Sequence, residues 1–191
     1  MTALVIGLVV LLAPHSVSIF AADWRLRQIA RMGIGSYKLA YSVVSIVGLL
    51  LVIWGFGMAR ATPALLWQAP AAARHATAAL TVIAFILVAA AYVPGTRMKA
   101  ALGHPMTVGV GLWALAHLLS NGRLADMVLF GAFLAWSVVL FAVRRARDRA
   151  AGTAYPPGAL ARDAIAAIAG IVAALVFALF LHAPLIGMRP F

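Results

Sequence analysis

The chain has 191 residues, of which 65% are hydrophobic and only 10% charged, and its mean hydropathy is +1.06. A soluble domain carries roughly 25% charged residues, so an ordinary soluble protein, a disordered tail and a nucleic-acid-binding domain are excluded. The net charge of +11 arises from 15 Lys and Arg against 4 Asp and Glu, with the cations lying between long apolar stretches, as in membrane proteins.

A bilayer core about 30 Å thick needs about 20 apolar residues of helix. Six stretches qualify, at 2–20, 37–59, 75–93, 104–121, 124–143 and 163–183. No Lys or Arg precedes Arg25, so the first stretch lacks the positive region of a secretory signal and is expected to be a retained helix. Pro63 and Pro70 follow the second, and Pro94-Gly95 closes the third. Asn121-Gly122 reads as a helix C-cap with a tight turn, which makes the fourth and fifth a hairpin. The run Arg144 to Arg149 ends the fifth; Asp163 opens the sixth, where a carboxylate favours a helix N-terminus. The longest loop, 144–162, is cationic and broken by Pro156, Pro157 and Gly158.

The first, third and fifth loops hold Arg25, Arg27, Arg31, Lys38, Arg97, Lys99, Arg144, Arg145, Arg147, Arg149 and Arg162; the other side holds Arg60, Arg74, Arg123 and Arg189. The positive-inside rule puts the first set in the cytoplasm and both termini outside. The expected fold is all-α: a polytopic membrane protein, a single transmembrane domain over 1–191 that forms a compact bundle of six helices. Small residues that let helices approach in lipid form stripes at Tyr41, Ser45, Gly48, Val52, Gly55 and Ala59, at Ala166, Gly170, Ala174 and Ala178, and around Trp113 at Gly109, Gly111, Ala114 and Ala116.

With no cysteine, thiolate haem ligation, iron–sulfur clusters and disulfides are all ruled out. The acids Asp23, Asp126, Asp148 and Asp163 lie at span ends or in loops. No mid-membrane carboxylate, broken-helix pair or inverted repeat supports a small transporter. Histidines are then the conspicuous polar groups. His15 follows Pro14 inside the first span, where the missing N–H favours a kink beside a recess. His117 lies one turn after Trp113 on the same face of the fourth span; a histidine inside an apolar bundle helix is a common haem or metal ligand. The competing assignment is, for His15, a neutral imidazole bonded to a neighbouring serine or backbone carbonyl and, for His117, a structural hydrogen bond. His104, before Pro105, suggests capping first and ligation second. His75 and His182 belong to the outer interface. The tryptophans suit membrane boundaries and the methionines suit gap filling.

The stretch PHSVSIFAADWRLRQIARMGIGSYKLAYSVVS, the WGFGMAR after the second span, and AAYVPGTRMKAALGHPMTVGVGLWALAHLLSNG resemble NnrU-type membrane proteins to about residue 143. The resemblance implies a bacterial inner-membrane protein associated with denitrification, at the steps of nitrite and nitric oxide reduction, with reductase components as candidate partners. The chain is also similar to zeta-carotene isomerase, a haem-b protein that isomerises a carotenoid double bond. That likeness implies haem b as cofactor and matches its axial histidines with His15 and His117. The isomerase has a cysteine three residues before the second histidine, where this chain has Ala114; this argues against a ligand-switching isomerase mechanism and leaves bis-histidine haem binding. The expected cofactor-binding set is His15, His117, His104 and Trp113, with His15 and His117 as axial ligands of the haem iron. Depth offers a second pairing, His15 with His104, in which Lys99 or Arg97 would meet the propionates. The implied activities are haem redox chemistry, nitric oxide binding or polyene isomerisation. The alternative is a cofactor-free assembly or delivery factor for a nitrite or nitric oxide reductase, with the Arg144 to Arg149 run as a contact for a partner or anionic lipid.

Overall fold

The computed structural model describes residues 1–188, so the outer assignment of Arg189 lies outside the described residues. These residues are helical, with no strand among them beyond one isolated bridge between Leu65 and Arg123. The helices are α1 (Thr2–Phe20), α2 (Ala22–Ala61), α3 (Ala71–Tyr92), α4 (Arg97–Leu102), α5 (Pro105–Ser120), α6 (Leu124–Ala150), α7 (Leu160–Val176) and α8 (His182–Ile186), with a π-helical segment at Phe177–Leu181.

Among the described residues, five helical stretches are long and apolar enough to cross a membrane: Thr2–Phe20, Ala22–Ala61, Ala72–Tyr92, Leu124–Ala150 and Leu160–Ile186. The expected fourth span is shorter than the sequence pattern suggested. His104 is its N-cap and Pro105 its first residue, so α5 has only 16 residues and rises about 24 Å, less than the hydrocarbon thickness. The six-span count therefore becomes five long helices and one shorter apolar helix.

The chain forms two compact units, Met1–Ala64 and Leu65–Phe191. In the first, α1 packs on α2. Leu4, Leu8 and Leu11 of α1 are buried, as are Gly48, Val52, Gly55 and Ala59 of α2, so the small-residue stripe is the helix seam. Glycine is required there: a Cβ on Gly48 would lie 2.5 Å from the Leu11 amide nitrogen. Such close backbone approach gains van der Waals contact, which drives helix association where lipid removes the hydrophobic term. The expected loop at 21–36 is largely helix instead. Residues 22–32 form an arm of α2 that turns at Gly33, whose φ of 79° and ψ of 156° only glycine adopts readily.

In the second unit α3 packs against both α5 and α7, and α6 packs on α5. Ala166, Gly170 and Ala174 are the buried face of α7, and Gly170 sits against the Ile86 backbone. The π-helical segment then shifts the helical phase, so Ala178 is only half-buried. Asn121 ends α5 as expected, and its side-chain amide donates to the His117 carbonyl at 2.9 Å. Gly122 serves close approach: its carbonyl accepts from Leu66 and Trp67 N–H at 2.8 and 3.3 Å, and a side chain there would strike the Trp67 backbone. Asp163, in the first turn of α7, spends its carboxylate on another helix, accepting from the N–H groups of Arg97 and Met98 at 2.8 and 3.3 Å. Large apolar side chains such as Leu39, Leu50, Ile168 and Phe180 face outward, as suits a protein solvated by lipid tails.

Candidate functional site

His15 continues the α1 seam, one turn beyond buried Leu11. Its Nδ1 lies 2.7 Å from the Leu11 carbonyl oxygen. A carbonyl can only accept, so Nδ1 carries the proton in this bond. Tyr41, the first residue of the α2 stripe, lies beside it, with ring centroids 5.0 Å apart. The seam therefore ends in a polar pair. Pro14 frees the Val10 carbonyl one residue before this site, yet α1 runs on to Phe20.

His117 repeats the arrangement in the second unit. Its Nδ1 donates to the Trp113 carbonyl at 2.9 Å. Its ring stacks on Phe130 of α6 at 4.6 Å and lies 5.3 Å from the Trp113 ring. Trp113 in turn meets Phe130 and Phe133 edge-on at 5.1 and 5.5 Å. The sequence pairing of Trp113 with His117 on one face is therefore present. Phe130 and Phe133 join it from the neighbouring helix, where their spacing of three is the sequence signal for a shared face. Thr77 of α3 closes this end of α5 by donating to the Ala116 carbonyl at 2.7 Å.

His104 is placed differently. Its Nε2 donates to Asp148 Oδ2 at 2.8 Å, and Tyr155 Oη–H donates to the same oxygen at 2.5 Å. The Arg145 guanidinium lies 5.9 Å from the Tyr155 ring centroid. Partial burial pushes the Tyr155 phenol above its ordinary value, with the bond to Asp148 and that residue's charge adding, and Arg145 opposing. Gly103 fits this corner with a φ of 72°, and a Cβ there would meet the Tyr155 ring at 2.9 Å. Asp148 and Tyr155 were not singled out from sequence. The available hint was a lone acid within a run of arginines. His182 donates from Nδ1 to the Met188 carbonyl at 2.7 Å and meets Phe177 edge-on, while His75 is exposed near the start of α3.

Among the described residues no group of three or more His, Cys, Asp or Glu converges on one point. The donors on offer are individual imidazoles. His15, His117 and His182 each hold Nδ1 on a backbone carbonyl, the bond expected of a structural imidazole and also the one that orients an imidazole toward a metal. No curated protein and no solved structure matches the chain. The family described as NnrU protein matches residues 3–190, nearly the full length. The chain belongs to the NnrU family.

Proposed function

We propose that this protein is an integral membrane haem-b-binding protein linked to denitrification, with His15 and His117 as imidazole donors to haem iron. The observation that carries the reading is His117, whose ring donates Nδ1–H to the Trp113 carbonyl at 2.9 Å and lies against Trp113 and Phe130, so that Nε2 is the nitrogen it would turn to iron; His15 has the same kind of Nδ1 bond, to the Leu11 carbonyl at 2.7 Å. The donor chemistry fits haem b, which is held without covalent attachment and so needs no cysteine. The aromatic set of Trp113, Phe130 and Phe133 suits a planar apolar macrocycle. Bound haem would supply one-electron exchange or diatomic-gas binding, and the protein tunes it through the backbone bonds on Nδ1 and through low polarity. His104 is a positioning residue in this reading, because its Nε2 is committed to Asp148. Membership of the NnrU family supports the link to nitrite and nitric oxide reduction.

The test is haem content per polypeptide after detergent purification, read as the pyridine haemochromogen. His15→Ala and His117→Ala should each lower it at least tenfold, while each variant keeps its helical circular dichroism. Unchanged haem content in both variants would reject the donor assignment. A wild-type protein that stays haem-free when overexpressed with added haem precursor would leave the cofactor-free assembly factor as the better account.

A further inference from the structure

A second site lies wholly within the first unit. The arm 22–32, α1 and the rest of α2 enclose an open groove of about 330 Å³. Trp24, Gln28 and Met32, at successive i+4 positions, form one wall; Pro14 and Val17 form another; Tyr37, Tyr41 and Val44 belong to the third. The walls are largely apolar, and Trp24, Met32 and Val44 are exposed. The volume is at the lower end for a small-molecule pocket, about 300–1,000 Å³, and takes a length of acyl chain.

Charge identifies the occupant. The arm carries Arg25, Arg27 and Arg31 against Asp23 alone, and Lys38 follows the Gly33 turn. One cation is fixed at the groove itself: the Arg25 guanidinium lies over the Tyr37 ring, 5.6 Å from its centroid. Trp24 on the same arm has the amphipathic ring that settles at headgroup level. We propose that this groove is a selective site for one anionic phospholipid, its acyl chain against Val17, Met32 and Val44 and its phosphate at Arg25. A neutral lipid or isoprenoid would fill the apolar walls equally well and make no use of the cations. The Gly33 turn joins the cationic arm to the Tyr37–Val44 wall, and the Cβ-free backbone there permits the fold-back.

The probes are dibrominated-chain phosphatidylglycerol and dibrominated-chain phosphatidylcholine, titrated into the full-length protein in phosphatidylcholine nanodiscs. Trp24 emission is taken as the difference between wild type and Trp24→Phe. The brominated phosphatidylglycerol should quench Trp24 saturably, at mole fractions where the phosphatidylcholine has little effect. Arg25→Gln should weaken that preference roughly fivefold, the factor one juxtamembrane cation contributes. Ala40→Phe, which narrows the groove with all cations kept, should abolish saturable quenching. Equal quenching by the two lipids would overturn the proposal. So would a phosphatidylglycerol preference unaffected by both Arg25→Gln and Ala40→Phe. The two lipids are compared on the same preparation, so haem content is the same in both titrations, and a failure of haem binding leaves the lipid preference readable.

Discussion

Helix α5 has a histidine at each end, and the two imidazoles are used in opposite ways. His104, the N-cap, gives its outer nitrogen Nε2 to Asp148. His117, in the last turn, gives the inner nitrogen Nδ1 to its own helix. They are separated by about 20 Å of helix. One end lies among arginines and a phenol, where a carboxylate is available to accept a hydrogen bond. The other lies among Trp113, Phe130 and Phe133, and its Nδ1–H goes to the i−4 carbonyl. The residue type is the same; the neighbours decide which nitrogen the protein engages. Backbone bonding at Nδ1 aims Nε2 away from the helix, whereas side-chain bonding at Nε2 locks the ring into a surface corner.

The sharpest test exchanges the two ends. His117→Ala should remove at least nine-tenths of the haem absorbance while His104→Ala retains it, measured as Soret intensity per protein; loss in His104→Ala alone would reverse the comparison. Phe130→Ala should destabilise the chain by about 3–5 kcal/mol, the usual cost of deleting a buried phenylalanine, because Phe130 is only 6% exposed and stacks on His117. A detergent melting curve reads that loss, and the His104 corner should keep its resistance to proteolysis.

Gly103→Ala acts on the opposite end. It forces a positive φ on an alanine and drives its methyl toward Tyr155 and Arg145, which should cost about 1–3 kcal/mol. Limited proteolysis should then cut the 151–158 segment faster, with haem content unchanged. The smallest effect is one of pH. The Tyr155 phenol is raised above its ordinary value of 10.0, so its contribution to stability is complete below that value and is lost as pH climbs through the raised one. Tyr155→Phe should remove that alkaline step, seen as the disappearance of one late phenolate transition in ultraviolet absorbance.

Much of the helix packing was legible in the sequence. The stripe from Tyr41 to Ala59 predicted the α2 seam, because in lipid only small residues allow the approach that Gly48 and Gly55 make to α1. Ala166, Gly170 and Ala174 did the same for α7. The pairing of Trp113 with His117 followed from helical spacing. Other features were hidden for identifiable reasons. The arm at 22–32 is rich in arginine and ends at a glycine, a pattern shared by loops, and only the φ of Gly33 separates the two. The length of α5 was overestimated because apolar composition continues past the His104-Pro105 cap that limits it. The Asp148 and Tyr155 contacts link His104 to residues 44 and 51 positions away, a distance that no local period reports. The π-helical segment at Phe177–Leu181 broke a stripe that otherwise pointed straight to His182.

The central proposal is that His15 and His117, which share a backbone bond at Nδ1 with His182, serve haem iron. Its most direct test is the dithionite-reduced minus oxidised optical spectrum of the purified wild-type protein. The account predicts a Soret band with sharp reduced α and β bands of low-spin haem b. A featureless visible spectrum from protein expressed with ample haem would contradict it.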